Sequence, residues 1–255
     1  MQLNYLNYGT GYPLIILHGL FGSLDNWHTL SKKFAETYQV FSLDQRNHGR
    51  SPHTDEFNYQ ILAQDLYDFM QQQNLTNAYI LGHSMGGKTA MQFAFTYPEK
   101  VRKLIVADIA PKSYPPGHLQ LIETLCTIDL KSFSHRKEID NSLAEKVPDF
   151  AVRQFILKNI YLNDEGIFSW KMNLNGIKKN YPELNKAITT DKPFSKETLF
   201  VRGEKSPYIQ NSDLELINSL FTNAKLITIP KAGHWVHAEA PTEFYEILVN
   251  FLREN

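Results

Sequence analysis

Cysteine is almost absent from these 255 residues: Cys126 is the only one. A single thiol excludes an internal disulfide and any metal site built from several cysteines, and it fits a reducing, cytoplasmic setting. Long apolar runs are also missing. Leu14-Ile15-Ile16-Leu17 is far too short to cross a bilayer. The opening Met1-Gln2-Leu3-Asn4-Tyr5 has neither the basic stretch nor the apolar stretch of an export signal. A soluble, untargeted protein with no membrane partner is expected. Charge of one sign is scarce too. Charged residues make up 21% of the chain and nearly cancel, to a net −1, so nothing draws a polyanion and no nucleic-acid partner is expected. There is no internal repeat or low-complexity tract, and the sequence carries no signal of oligomeric state.

What is present is a recurring pattern. Short apolar runs rich in β-branched and aromatic residues occupy 13 to 18, 39 to 43, 77 to 81, 102 to 107, 197 to 202 and 224 to 229, and read as buried parallel strands. Between them, 57 to 73 sets Ile61, Leu62, Leu66, Phe69 and Met70 at helical spacing, and 85 to 97 and 240 to 253 show similar stripes. Strands alternating with helices imply an α/β fold with a mostly parallel, doubly wound sheet. A chain of this length can bury one large core as a single domain, 1 to 255. The alternation fails from about 111 to 190, where Pro111, Pro115-Pro116-Gly117, Pro148 and Pro182 punctuate segments of mostly helical pattern. That stretch reads as a helical cap inserted between two late strands, above the carboxyl ends where ligands of such sheets gather.

Gly82-His83-Ser84-Met85-Gly86 matches the nucleophile elbow G-x-S-x-G, between the predicted strand Asn77-Ala78-Tyr79-Ile80-Leu81 and a predicted helix. In such an elbow the serine sits at a strained turn, and the flanking glycines remove side chains that would collide where helix and strand approach. The same residues also satisfy a different pattern. Gly82-His83-Ser84-Met85-Gly86-Gly87-Lys88-Thr89 reads as the phosphate-binding G-x-x-x-x-G-K-[ST], and Leu104-Ile105-Val106-Ala107-Asp108 resembles a strand ending in a magnesium-binding Asp. A P-loop NTPase is therefore the rival class. It leaves His18-Gly19 and Gly233-His234-Trp235 unexplained.

The elbow needs partners. His18-Gly19-Leu20-Phe21-Gly22 is a turn of the kind that donates a backbone N–H to an oxyanion, so the amides of Leu20 and Met85 are the candidate oxyanion donors. The base must come late in the chain. His234 is preferred over His237, because Gly233 gives its loop the freedom to aim an imidazole at Ser84, with His237 as a packing residue. For the acid, Phe200-Val201-Arg202-Gly203-Glu204-Lys205-Ser206-Pro207 places Ser206 where many relatives of such a fold have Asp. A hydroxyl cannot supply the negative charge that orients an imidazole. Asp108, at the end of the neighbouring strand, is the expected acid, with Ser206 as an auxiliary hydrogen-bonding partner of the histidine and Glu204 and Asp213 in reserve.

With these features in order, the chain resembles the α/β-hydrolase superfamily over nearly its full length. Asp44-Gln45-Arg46-Asn47-His48-Gly49-Arg50-Ser51-Pro52, the run from Gly82 to Lys88, Asp108-Ile109-Ala110-Pro111 and the serine at 206 resemble the YbfF-type bacterial esterases and their mitochondrial relatives. The resemblance implies Asp108 as the acid with Ser206 beside it, no cofactor and no metal. It implies a small-molecule acyl ester or thioester substrate, acyl-CoA included. A menaquinone-pathway lyase of the same fold is similar in the His-Gly turn, the elbow and the late histidine, but not in Arg46-Asn47-His48-Gly49. From the residues alone, Arg46 and His48 read as a brace for the elbow. The apolar cap residues Leu119, Leu121, Ile122, Leu125, Phe150, Phe155, Ile156, Phe168 and Trp170 read as cap core first, and Cys126 as a small packing residue.

Overall fold

The computed structural model describes residues 1 to 253. Nine strands and ten α-helices follow in chain order among the described residues. They begin with β1 (Tyr5–Tyr8), β2 (Tyr12–Leu17), α1 (His28–Phe34), β3 (Tyr38–Leu43), α2 (Tyr59–Gln72), β4 (Ala78–His83), α3 (Met85–Thr96) and β5 (Val101–Ala107). A segment with α4 (Leu119–Cys126), α5 (Arg136–Ala144), α6 (Phe150–Leu157), β6 (Ile160–Leu162), β7 (Phe168–Trp170) and α7 (Leu174–Asn185) comes next. The chain then returns with β8 (Thr198–Gly203), α8 (Leu214–Leu220), β9 (Ala224–Ile229), α9 (Val236–Glu239) and α10 (Pro241–Arg253).

Seven strands form one sheet in the order β1-β3-β2-β4-β5-β8-β9. All neighbours are parallel except β1, which runs antiparallel to β3 at the edge. Successive side chains of a strand point to opposite faces, and the apolar runs are continuous because both faces are covered. Ile15, Leu17, Ile80, Leu104 and Val106 pack on the side of α2 and α3. Leu14, Ile16, Leu81, Ile105 and Ala107 pack on the other side with α1 and α10. This is the doubly wound sheet that the alternation implies.

Three differences from the sequence reading have physical causes. β1 has no apolar run, because an edge strand with partly exposed residues needs none. The segment between β5 and β8 is not purely helical: β6 and β7 pair as an antiparallel hairpin, Ile160 opposite Trp170, in strands of three residues that leave no periodic trace. The expected last helix, 240 to 253, is α10, opened by Pro241, and a one-turn helix that the sequence reading lacks, α9, precedes it immediately after the His234 loop, too short to show a periodic stripe.

The inserted segment touches the loops at the carboxyl ends of the strands. Asn159 Nδ2 donates to Phe21 O at 2.6 Å, Asn173 N to Asn47 O at 2.9 Å, and Tyr59 Oη to Leu184 O at 2.7 Å.

The crossing of α3 over the strands depends on glycine. A Cβ at Gly86 would be driven into the carbonyl oxygens of Leu17 and His18, and one at Gly82 into the backbone of Gly86. Gly86→Ala should therefore destabilise the protein by about 1–3 kcal/mol despite alanine's better helix propensity. Urea unfolding measures the loss, and unchanged stability would mean that this crossing has slack.

Candidate active site

Ser84 stands between β4 and α3 with φ of 53°, a left-handed conformation that is strained for a residue with a side chain. Its amide is tied to Ala107 O on β5 at 3.0 Å, and its carbonyl accepts from Lys88 N at 3.1 Å as the helix begins. Strand and helix thus hold the turn from both sides, and the side chain lines the clefts above the sheet.

Ser84 Oγ lies 3.0 Å from His234 Nε2, and His234 Nδ1 lies 2.7 Å from Asp108 Oδ2. A carboxylate can only accept, so the Asp108 contact puts the imidazole proton on Nδ1 and leaves Nε2 free to accept from the serine hydroxyl. Asp108 itself is fully buried, with φ of 52°, and its amide prolongs the β5 to β8 ladder by donating to Val201 O at 2.8 Å. Its Oδ1 accepts from Gly203 N at 3.1 Å, and its Oδ2 accepts from the Ser206 hydroxyl as well as from His234. The structure therefore brings Ser84, His234, Asp108 and Ser206 into one hydrogen-bonded chain, with Ser206 donating to Asp108 rather than to the histidine as the residues alone suggest, because both imidazole nitrogens are taken by Asp108 and Ser84.

The reserve acids lie elsewhere. Glu204 accepts from Lys231 N at 2.9 Å, and Asp213 is held by Lys112 Nζ at 2.7 Å. His237 is not a member of this chain of contacts: its ring stacks on Trp27 at 4.2 Å, and burial pushes its pKa down to about 3, so it stays neutral as a packing group.

Leu20 and Met85 both line the cleft beside Ser84. Met85 is the first residue of α3, whose N–H has no acceptor within the helix. In the turn after β2, Phe21 N donates to His48 Nε2 at 3.2 Å and Gly22 N to Gly19 O at 2.9 Å, which fixes the backbone on either side of Leu20.

That contact gives Arg46-Asn47-His48 its place. The segment braces the His18 to Gly22 turn rather than the elbow, which corrects the reading from sequence. His48 Nδ1 donates to Arg46 O at 3.0 Å, while Arg46 forks onto both oxygens of Asp65 at 2.7 and 2.8 Å. His18 in turn accepts from Gln45 N at 3.0 Å through Nε2 and donates from Nδ1 to Gly19 O at 2.8 Å. Burial lowers His18 to about 4 and His48 to about 3, so both rings remain neutral and each uses one nitrogen as an acceptor.

The P-loop pattern has no P-loop shape. Its residues form a tight strand-turn-helix, Thr89 Oγ1 is buried and donates back to Met85 O at 3.2 Å, and Asp108 is enclosed by three donors. Neither Thr89 nor Asp108 is open to a magnesium ion. Cys126 is half-buried on α4, and burial raises its pKa, which suppresses the reactive thiolate. Of the apolar cap residues, Leu121, Phe155 and Ile156 line a cleft next to Ser84, while Ile122, Leu125 and Phe168 are core and Leu119 and Phe150 are exposed.

Three residues around His234 gave no sequence signal, because they act on its backbone or its ring face. Glu239 accepts from Gly233 N at 2.7 Å and from Trp235 N at 3.1 Å, gripping the loop on both sides of the histidine. His83 Nε2 donates to His234 O at 2.8 Å. Tyr208 stacks on the imidazole, with ring centroids 3.9 Å apart.

Comparison with known proteins fits this architecture. Residues 12 to 134 match the family model described as alpha/beta hydrolase fold. The chain is 36% identical, over 99% of its length and 85% of the relative's, to "sn-1-specific diacylglycerol lipase ABHD11" of Mus musculus. It is 31% identical, over 95% of its length and 93% of the relative's, to "Esterase YbfF" of Escherichia coli. A solved structure named "Marine microorganism esterase" superposes with a TM-score of 0.96 at 44% identity, covering 98% of this chain and 99% of that one. The chain belongs to the α/β-hydrolase family. Within that family it falls in the YbfF-type group.

Removing the grip on the His234 loop should misplace the imidazole without emptying the core. Glu239→Ala is expected to lower kcat for an activated ester such as p-nitrophenyl butyrate by about tenfold to a hundredfold, with KM little changed. Steady-state kinetics measure both, and a wild-type kcat would show that the loop holds itself.

Proposed function

We propose that this protein is a serine esterase or thioesterase that hydrolyses short-to-medium acyl groups through an acyl-enzyme intermediate. The observation that carries the proposal is the line Ser84 Oγ, His234 Nε2, His234 Nδ1, Asp108 Oδ2, with separations of 3.0 and 2.7 Å. Relatives named esterase and lipase across nearly the whole chain support it.

In this reading Ser84 attacks the acyl carbonyl while His234 Nε2 takes its proton. The carbonyl oxygen becomes an oxyanion, stabilised by the amides of Leu20 and Met85. As the tetrahedral intermediate collapses, the bond to the leaving oxygen or sulfur breaks and His234 returns the proton to the departing alcohol or thiol. Water then repeats the cycle on the Ser84 ester and releases the acid. Asp108 keeps Nδ1 protonated and stabilises the imidazolium, and Ser206 holds Asp108 in place. The chemistry calls on no metal or organic cofactor. Acyl-CoA thioesters belong among the candidate substrates, because the same residues serve an oxygen or a sulfur leaving group.

The segment from 111 to 190 acts as a cap of the single domain, closing over Ser84. A reducing, cytoplasmic location suits a chain whose one thiol is unpaired, and among the described residues no helix is long and apolar enough to cross a membrane. The menaquinone-pathway lyase would use the same residues, and the names of the relatives weigh toward hydrolysis instead.

Kinetics on a panel of acyl esters and acyl-CoAs test the roles. Asp108→Asn should lower kcat by about 10⁴ and Ser84→Ala by about 10⁶, while Ser206→Ala costs much less. A near-wild-type Asp108→Asn enzyme would remove Asp108 from the mechanism.

A further inference from the structure

Two cavities meet at Ser84. One, of about 230 Å³, is lined by His234, Trp235, Phe155 and Leu121. The other, of about 550 Å³, runs along α3 and is lined by Met85, Lys88, Tyr59, Tyr114 and Tyr181, without His234. This inference rests on the esterase reading. Because His234 must protonate the departing group, the leaving alcohol or thiol lies on the His234 side, in the smaller cavity. The acyl chain then takes the larger one.

That larger cavity is mostly apolar, and it contains one unmatched cation. Lys88 is one helical turn beyond Ser84 and only 1% exposed. Its Nζ has three protons to donate and one hydrogen-bond acceptor, Lys186 O at 2.6 Å. The tyrosines beside it are committed elsewhere: Tyr59 donates to Leu184 O at 2.7 Å, and Tyr114 donates to Tyr208 O at 2.6 Å while accepting from Ala110 N at 2.9 Å. Their rings offer only faces, with centroids 5.6 and 4.9 Å from Nζ. The other lysine lining the cavity, Lys112, is already neutralised by both oxygens of Asp213, at 2.9 and 2.7 Å. Among the described residues no carboxylate meets Lys88. A buried ammonium without a counter-ion is costly, and burial lowers Lys88 to about 7. A solely structural tether to Lys186 O would need no cation, since a neutral donor serves a carbonyl as well.

We propose that Lys88 is a specificity residue that receives a carboxylate at the far end of the acyl group, so that the favoured substrates are monoesters or monothioesters of dicarboxylic acids. The carboxylate supplies the missing counter-ion and restores the charge on the amine. The surrounding apolar and aromatic walls take the methylene chain, and the dry setting strengthens the ion pair. A neutral alkyl chain of equal length leaves the amine uncompensated.

The test compares kcat/KM for p-nitrophenyl monoesters of glutaric and adipic acids with kcat/KM for the alkyl esters of matched length, in wild type, Lys88→Met and Lys88→Gln. Wild type should prefer one of the carboxylated chains. The ratio of carboxylated to alkyl ester should fall at least tenfold in both variants, a change that a tether to Lys186 would not produce. A ratio that is equal in wild type and whichever variant folds overturns the proposal. Calorimetric titration of monomethyl glutarate and monomethyl adipate into Ser84→Ala, with and without Lys88→Met, decides the same question without turnover. At least tenfold weaker binding without Lys88 supports the site, and equal affinity removes it. If wild type hydrolyses no ester at all, the esterase reading fails on its own, and the titration still judges Lys88.

Discussion

The buried carboxylate of Asp108 is the constraint on which the rest of the site depends. A fully desolvated carboxylate is tolerated only when donors surround it. Here three converge from separate elements: the amide of Gly203 at the end of β8, the hydroxyl of Ser206 in the loop after it, and Nδ1 of His234 in the loop after β9. Satisfying that one group fixes the β5, β8 and β9 edge of the sheet and sets the imidazole's tautomer and orientation. The conformational cost is visible in the positive φ of Asp108, as it is in that of Ser84 on the neighbouring strand. The sheet's register over-determines both turns, since Ser84 N bonds to Ala107 O and Asp108 N to Val201 O.

A second framework, independent of that carboxylate, holds the turn that faces Ser84. His18 and His48 sit 5.0 Å apart as neutral rings, each accepting a backbone N–H with one nitrogen and donating to a carbonyl with the other. Their low pKa values follow from burial and keep both rings neutral, and so this arrangement intact, near neutral pH. Arg46 anchors the segment through Asp65. The residues that resemble a family signature in this stretch are thus scaffold, and their chemistry is that of positioning.

The strands and their order of appearance were legible because fully buried parallel strands leave continuous apolar runs. The edge strand β1 and the hairpin of β6 and β7 were not, since exposed or three-residue strands leave no such run. In the site, Ser84 and His234 announce themselves by glycine-framed loops, and Asp108 by ending an apolar strand. Glu239, His83 and Tyr208 do not. They hold the histidine through backbone atoms and ring stacking, which any of many residue types could do from many positions. Lys88 stands in the sequence inside a misleading phosphate-loop pattern and in the esterase-like run from Gly82, and neither reveals that it is buried beside a cavity.

The mechanism proposed for this site requires Ser84 to be an activated nucleophile. Labelling with a fluorophosphonate probe, followed by peptide mass analysis of wild type and Ser84→Ala, tests it most directly. A single phosphonylated site at Ser84 and no labelling of the variant are expected. Labelling and ester hydrolysis that persist in a folded Ser84→Ala protein would contradict it.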